Sequence, residues 1–205
     1  MKTTEELLKE LRMGPEGPDS RNDRNNKLHG LYDLIKDYVN QDVIMVEIGS
    51  YRGASTELFA KHCKKIHAID PWSKVVEGKY VNVTRATRKM PAQMEAEEVF
   101  LKRMSAYNNV EIIKDFSYNV YDRFEDQSLD MIYIDGHHTF DAALEDVRQW
   151  LPKLKTGGVL AGHDYSLPEI KKLVDMITES IPERKRYRDT SWAFVKPNTQ
   201  IESKI

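Results

Sequence analysis

The chain has a single cysteine, Cys63, among its 205 residues, which excludes an intrachain disulfide and fits a reducing compartment. It has no apolar run near the roughly 20 residues that span a bilayer, and its start, MKTTEELLKELRMG, lacks the apolar block of a signal peptide. Neither sign of charge dominates, since the net charge is −2. The chain therefore lacks the excess of positive charge that is typical of proteins that bind nucleic acid or an anionic membrane. We expect a cytoplasmic protein.

The first 40 residues differ in pattern from the rest of the chain. Two stretches carry apolar residues at helical spacing, and the segment between them, GPEGPDSRNDRNN, predicts a mobile loop. We expect residues 1–40 to form N-terminal helices and a loop that close over a substrate. Residues 41–205 are expected to form the main domain, within one globular unit overall.

From residue 43 onward, short apolar runs alternate with helical stretches. The runs are nearly continuous in apolar residues, as expected of parallel strands covered on both faces. This alternation predicts an α/β fold with a doubly wound, mostly parallel sheet. The predicted strands are Val43 to Ile48, Ile66 to Ile69, Val110 to Ile113, Met131 to Ile134, Val159 to Ala161 and one in TSWAFVKP; the predicted helices are Ser55 to Lys65, Ala92 to Ala106, Thr139 to Leu151 and Pro168 to Ile181.

Polar residues and glycines gather where the predicted strands end. In an open α/β sheet the ligand lies outside the carboxyl ends of the strands, so this edge is the expected site. The residues concerned are Glu47, Gly49, Asp70, Asp115, Ser117, Asp135, His138, His163 and Asp164.

The stretch VEIGSYRGAST joins the first strand to the next helix. Gly49 and Gly53 permit a tight turn and a close approach to a ligand, and Ser55 is placed to cap the helix. The spacing is not the G-x-G-x-x-G of a dinucleotide site. Glu47 lies inside an apolar strand, where an acid needs a cation or a donor, so it favours a ligand with an ammonium group; a structural role with backbone donors is the alternative.

Asp70 ends the second strand about 20 residues after the glycine turn, the distance at which an acid accepts ribose hydroxyls. Its alternative role is a turn aspartate before Pro71. An ammonium site, a glycine turn and a ribose acid together point to S-adenosylmethionine.

The chain from about Val43 to Pro197 resembles the class I S-adenosylmethionine-dependent methyltransferases. The segment IYIDGHHTFDAALEDVRQWLPKLKTGGVLAGHDY is similar to metal-assisted O-methyltransferases that act on sugars of macrolides and aminocoumarins, and to cephalosporin-biosynthesis methyltransferase-like proteins. This resemblance implies a Rossmann-like methyltransferase sheet with an antiparallel last strand.

The resemblance also implies which residues contact the cofactor. Glu47, Gly49, Ser50 and Gly53 would hold the methionine portion and Asp70 the ribose. Trp72 and Phe116 would flank the adenine, with Asp115 or Ser117 near its edge; for either aromatic residue, a place in the core is the alternative. Ser55 and Asp135 complete the predicted cofactor contacts.

For the metal, the resemblance implies Asp135, His163 and Asp164 as ligands of one divalent cation, with His138 as the catalytic base beside Asp135. Such relatives commonly carry Glu or Asp where this chain has His163. The donor set therefore suits magnesium or manganese, and also iron or zinc. The alternatives are that His137 and Thr139 cap the helix and that His163 is a structural histidine.

The predicted activity is transfer of a methyl group from S-adenosylmethionine to a hydroxyl of a small molecule, with a sugar as one acceptor class and a divalent metal assisting. A metal-independent methyltransferase that uses His138, and an inactive cofactor-binding interaction domain, are the alternatives. No nucleic-acid or membrane partner is expected, and a homo-oligomer stays open. The basic run ERKRYR is interpreted as a solvated turn.

Overall fold

The computed structural model describes residues 3–13, 27–72, 92–179, 181 and 183–198. The predicted loop in residues 14–26 and the predicted substrate-facing stretch in residues 73–91 lie outside these residues. The helices are α1 (Thr4–Met13), α2 (Lys27–Tyr38), α3 (Ala54–Ala60), α4 (Ala92–Met104), α5 (Phe140–Trp150) and α6 (Pro168–Ile177), and the strands are β1 (Ile44–Ile48), β2 (Lys65–Ile69), β3 (Val110–Ile113), β4 (Leu129–Ile134), β5 (Leu154–Gly162), β6 (Arg184–Arg186) and β7 (Trp192–Val195).

The seven strands form one sheet in the order β3-β2-β1-β4-β5-β7-β6. β1 pairs in parallel with β2 and β4, and the parallel pairing continues to β3 on one side and β5 on the other. β7 is antiparallel to β5. The predicted fold class, a doubly wound and mostly parallel Rossmann-like sheet with an antiparallel last strand, is confirmed.

Both faces of the sheet are covered, as the continuous apolar strands predict. Successive residues of a strand point to opposite faces, so Val46 and Ile48 pack with α5 and α6 in one apolar cluster. Met45, on the other face, packs with residues of α1, α2 and α3. Glu47 shares the face of Met45 and lies beside Tyr133 of β4 in the pairing register.

The N-terminal helices contribute to the core. Leu7 of α1 and Leu34 of α2 are fully buried and belong to the cluster on the face of Met45. Closure of residues 1–40 over a substrate stays a prediction. Within the described residues, no helix is long and apolar enough to cross a membrane.

The basic run predicted as a turn contains the short strand β6, which pairs with β7. Its cations face acids on two helices: Lys185 lies 3.2 Å from Asp37 of α2, and Arg184 lies 2.9 Å from Asp175 of α6. A sequence window cannot reveal this strand, because its pairing partner and its counter-charges lie elsewhere in the chain.

Candidate functional site

The predicted site residues lie along one edge of the sheet because the strand ladder continues past the ends of the strands. The backbone N–H of the first residue after a strand donates to the carbonyl of the last residue in a neighbouring strand, at 2.8–3.2 Å. Backbone pairing thus sets the residues side by side, in the order of the strands. The bonds run from Asp70 to Ile113, from Gly49 to Ile69, from Asp135 to Ile48 and from His163 to Ile134.

The turn after β1 requires glycine at two positions. Gly49 has a φ of +92°, and a Cβ there would lie 2.2 Å from the carbonyl oxygen of Asp135. Gly53 has a φ of +75°, and a Cβ there would lie 2.7 Å from a ring carbon of Phe100. Any other residue at either position would be strained. The two glycines bring β1 against the end of β4 and α3 against α4.

α3 begins at Ala54, with Gly53 at its N-cap position and no side-chain capping bond. The prediction that Ser55 caps this helix is therefore wrong. Ser55 lies inside the first turn, and its hydroxyl lowers the pKa of Glu47 instead. A glycine in the left-handed region can end the turn without a side-chain cap.

Glu47 is completely buried. Its Oε2 accepts hydrogen bonds from the hydroxyls of Ser50, at 2.9 Å, and Thr56. Its Oε1 accepts none from the described residues. Burial raises the pKa of Glu47 to about 7, against the opposing effect of the neighbouring hydroxyls.

An orphaned buried carboxylate oxygen is costly unless a ligand supplies a donor. The ammonium group of a methionine moiety has the charge and the protons that Oε1 needs. Glu47 therefore fits the predicted methionine portion of the cofactor.

Both carboxylate oxygens of Asp70 accept a backbone hydrogen bond. The N–H of Trp72 donates to Oδ1 at 2.7 Å, and the N–H of Tyr51 donates to Oδ2 at 2.9 Å. Burial raises the pKa of Asp70, while these two donors oppose that effect. Each oxygen keeps a second lone pair, so the held carboxylate is able to accept the two hydroxyls of a ribose.

The two aromatic residues predicted beside the adenine have different surroundings. Trp72 is buried, its ring centroid lies 4.6 Å from that of Phe100, and its indole N–H donates to the carbonyl of Tyr51 at 2.7 Å. Phe116 is half-buried and stacks on Tyr118, with the ring centroids 5.1 Å apart. Trp72 is thus packed in the interior against Phe100, whereas Phe116 has more exposed ring surface on which an adenine could stack.

Asp115 and Ser117 follow β3. Asp115 Oδ1 accepts hydrogen bonds from the N–H of Phe116 and the amide of Asn119, both at 2.8 Å. Ser117 donates its hydroxyl proton to Asp146 of α5 at 2.5 Å. Asp146 is buried, and that burial raises its pKa to about 6. Asp146 was not among the residues predicted from the sequence, although an acid on the inner side of an amphipathic helix is the signal that could have found it.

Three side chains from the ends of β4 and β5 form a group that could hold a metal ion. Potential ligand atoms of Asp135, His138 and Asp164 all lie within 4.8 Å of one another. His138 Nε2 lies 2.5 Å from Asp164 Oδ2 and 3.9 Å from Asp135 Oδ1. His138 thus occupies, within this group, the place that the sequence analysis assigned to His163.

His163 borders the same group. Its Nδ1 lies 3.2 Å from Asp164 Oδ1 and 3.8 Å from Asp135 Oδ1. Burial of His163 opposes protonation, but the two carboxylates raise its pKa to about 9. In turn, both imidazoles hold the pKa of Asp164 well below its usual range despite its burial. Two imidazoles and two carboxylates therefore share one small volume.

His137 is not a member of this group. Its Nδ1 lies 3.0 Å from the hydroxyl of Thr139 and accepts the N–H of Thr139 at 3.3 Å. Thr139 is the N-cap residue of α5, without a capping bond from its own side chain. In the segment before α5, His137 thus contacts the N-cap residue and His138 contacts the acids.

The structure provides a direct test of the ribose assignment. We expect Asp70→Ala to weaken cofactor binding by about tenfold or more, because hydrogen bonds to a charged group contribute roughly 1.5–3 kcal/mol. Isothermal titration with S-adenosylhomocysteine measures this loss. Asp122→Ala, which removes an exposed carboxylate from the loop before β4, is the control and should bind as the wild type does. Unchanged affinity in Asp70→Ala would show that the ribose lies elsewhere.

A mostly parallel sheet with a buried acid near the end of β1, a glycine turn after it and a second acid after β2 is typical of the class I S-adenosylmethionine-dependent methyltransferases, which is the class of this molecule. Residues 46–165 match the family model described as "Methyltransferase domain". The match spans more than half of the chain, and the chain belongs to this family.

Similar proteins differ in what they methylate. An uncharacterized protein of Acanthamoeba polyphaga mimivirus is 25% identical in an alignment 161 residues long, which covers 71% of this chain and 66% of that protein, just under two thirds of its length. The fold is similar to that of the O-methyltransferase NovP (TM-score 0.59, 17% identity, 84% of this chain and 78% of that one). It is also similar to an rRNA methylase from Streptococcus thermophilus (TM-score 0.57, 16% identity, 84% and 97%). At these identities the structural likeness establishes the fold, and the acceptor must be argued from the site.

Proposed function

We propose that this protein transfers the methyl group of S-adenosylmethionine to a hydroxyl of a small molecule, with a sugar as one acceptor class, and that a divalent cation assists. The cluster of Asp135, His138 and Asp164 carries the proposal. It lies on the same edge as Glu47 and Asp70, one strand beyond the turn that would hold the methionine portion.

A neutral hydroxyl is a weak nucleophile and must lose its proton as it attacks the methyl carbon. A divalent cation, when bound to the hydroxyl oxygen, lowers the pKa of that hydroxyl. The remaining task of the protein is to hold oxygen, methyl carbon and sulfur in line, since such positioning lowers the barrier substantially. Two parts of the backbone would support that geometry. They are the turn after β1, which depends on two glycines, and the end of β4, which is hydrogen-bonded to β1.

His138 is proposed as the base that accepts the hydroxyl proton. Its Nε2 lies 2.5 Å from Asp164 Oδ2, and this hydrogen bond is the largest cause of its raised pKa. The carboxylate orients the ring and stabilises the imidazolium that forms. Asp164 itself has a φ of +59°, and a non-glycine residue held in this region points to a functional constraint on the turn.

The donor set fits a divalent cation. Asp135 and Asp164 would supply carboxylate oxygens and His163 an imidazole nitrogen, a combination suited to manganese, iron or zinc as well as magnesium. Binding would require the ligating nitrogen of His163 to be unprotonated.

Metal-independent methyl transfer is the second candidate, and the contact between His138 and Asp164 favours it. A carboxylate-oriented imidazole is a complete general base without a cation.

The acceptor is proposed to lie under residues 1–40, which close over it. The net charge of −2 favours a small molecule over nucleic acid as this acceptor.

A thermal shift experiment tests the cofactor assignment. At 100 times its Kd, a ligand that binds only the native state stabilises it by about 2.7 kcal/mol. In a chain of this size that raises Tm by about 5–10 °C. We expect this shift with S-adenosylmethionine and with S-adenosylhomocysteine.

NAD serves as the control ligand, because it shares the adenosine moiety but replaces the amino acid with a pyrophosphate. We expect no shift with NAD, since the turn after β1 lacks the dinucleotide spacing. Equal shifts with NAD, or no shift with either S-adenosylmethionine or S-adenosylhomocysteine, would reject the assignment.

A further inference from the structure

Two residues with uncommon backbone conformations lie next to each other at the end of β5. Asp164, a proposed metal ligand, has a φ of +59°, and Thr190, in the turn between β6 and β7, has a φ of +75°. A positive φ is uncommon outside glycine and is an outlier for a β-branched residue such as threonine. The N–H of Tyr165 joins the two turns, because it donates to the carbonyl of Thr190 at 3.0 Å. Such conformations persist only where the surrounding structure holds them in place.

The hairpin of β6 and β7 holds the backbone on both sides of Asp164. The indole N–H of Trp192, the first residue of β7, donates to the carbonyl of His163 at 3.1 Å. Because a peptide group is planar, this bond fixes the group that precedes the Cα of Asp164. The bond from Tyr165 to Thr190 fixes the group that follows it. The direction of the Asp164 side chain is therefore held from the hairpin.

Trp192 reaches this carbonyl because the last residue of β5 has no side chain in its path. Trp192 pairs with Gly162 in the antiparallel register, and a Cβ on Gly162 would lie 2.6 Å from a ring carbon of Trp192. Trp192 is 2% exposed, so water has little access to its N–H. A buried donor that loses its acceptor is costly, and the carbonyl of His163 is thus a firm partner.

The turn between β6 and β7 is itself fixed against α2. A Cβ on Gly30 would lie 2.3 Å from Asp189 Oδ1, so only glycine lets the helix pack this closely. Asp189 is buried and accepts both the N–H and the hydroxyl proton of Ser191, at 2.9 and 2.8 Å. One helical turn further along α2, Asp33 lies 3.0 Å from Arg188. The hairpin therefore has a fixed base from which to hold Asp164.

We propose that Trp192 is a positioning residue of the metal and base cluster, which it serves by holding the backbone of Asp164 in the left-handed conformation. In that conformation the carboxylate of Asp164 lies beside His138 and Asp135. Without the indole N–H, the peptide group before Asp164 is free to rotate, and the carboxylate leaves the cluster. This inference rests on the proposed function and adds to it a residue that contacts neither metal nor substrate.

Trp192→Phe tests the inference, because it keeps an aromatic ring and removes the N–H. We expect manganese binding, measured by isothermal titration, to weaken by about tenfold or more, since groups that hold metal ligands in place typically contribute 10- to 100-fold to metal affinity. Affinity for S-adenosylhomocysteine should stay that of the wild type. A crystal structure of the variant should show Asp164 outside the left-handed region and apart from His138.

Trp150→Phe is the matched control. Trp150 is also completely buried, in the same apolar cluster as Trp192, but its indole N–H has no hydrogen-bond partner among the described residues. Both variants should lower Tm, because each replaces a buried ring with a smaller one. Only Trp192→Phe should weaken manganese binding.

Gly30→Ala reaches the same turn from α2 and decides the question if Trp192→Phe does not fold. Alanine favours a helix more than glycine does, so α2 should persist, while the added methyl group displaces Asp189 and the turn. We expect weaker manganese binding and unchanged affinity for S-adenosylhomocysteine in this variant as well.

The possible contrary results separate the inference from the proposed function. A lower Tm with the manganese affinity of the wild type would show that Trp192 only fills the core, and would overturn the inference. Equal weakening of manganese and S-adenosylhomocysteine would show general loosening of the fold, and would also overturn it. Failure of the wild type to bind manganese would instead reject the metal in the proposed function. The crystal structure of Trp192→Phe then decides the inference, which is overturned if Asp164 keeps its conformation.

Discussion

His138→Ala is expected to lose methyl transfer by a factor on the order of 10²–10⁴, the range typical of a general base. Cofactor affinity should stay close to that of the wild type, because His138 is not among the residues proposed to hold the cofactor, most of which lie at the ends of β1, β2 and β3. Single-turnover rates with a competent acceptor measure the first quantity, and titration with S-adenosylhomocysteine measures the second.

His137→Ala is the matched control, since it removes an imidazole from the adjacent position. Both residues precede α5, which begins at Phe140, and they have different partners: His137 contacts Thr139 while His138 contacts Asp164. We expect little loss of activity and at most a modest loss of stability. If His137 were the essential residue, or both were dispensable, the proposed base would be wrong even with the cofactor correct.

The pH dependence follows from the same contact. A base must be neutral to accept a proton, so the rate rises as the pH passes the pKa of the imidazole. The hydrogen bond from Asp164 raises the pKa of His138 above its usual 6.5, which places the rising limb above pH 6.5. His138→Ala should lose this limb. A bound cation at Asp164 would shift the limb to lower pH, because a nearby positive charge disfavours the imidazolium.

Removal of divalent metal is expected to abolish most of the activity. With chelator in excess, methyl transfer should fall to the level of the His138-dependent reaction alone, while cofactor binding persists. Addition of magnesium or manganese should restore the rate. Full activity in excess chelator would favour the metal-independent mechanism.

Variants of the cluster locate the cation independently of activity. Asp135→Asn and Asp164→Asn should each weaken manganese binding, measured by isothermal titration, because each removes a charged ligand. Asp141→Asn, an exposed carboxylate in the first turn of α5, is the control. His163→Glu should shift the preference toward magnesium, a hard cation that favours oxygen ligands. Unaltered manganese binding in both Asp135→Asn and Asp164→Asn would place any cation elsewhere.

The fold was largely predictable because its strands are apolar on both faces. Each run between Val43 and Ala161 corresponds to a strand, although β5 begins five residues earlier, at Leu154, than the apolar pattern predicts. The helices end a few residues before the predicted bounds; α6, for example, ends at Ile177. Apolar periodicity identifies what is buried, whereas pairing partners set the ends of an element.

Part of the site was predictable for a different reason. The carboxyl ends of parallel strands lie on one edge, so any polar residue that ends a strand is directed there. That rule is sufficient to place Glu47, Asp70, Asp135 and Asp164 together without knowledge of the strand order. It does not distinguish which of two adjacent side chains turns inward.

The sequence by itself determined the class of sheet, the edge that carries the site and the residue types that gather on it, because these depend on local apolar and polar periodicity. Only the tertiary structure decided that His138 lies closest to Asp164, that His163 stands beside it, and that Asp146 meets Ser117 from a helix 29 residues further along the chain. Those contacts depend on the rotation of α5 and on the order of the strands in the sheet. Both are set by packing between segments that are distant in the sequence.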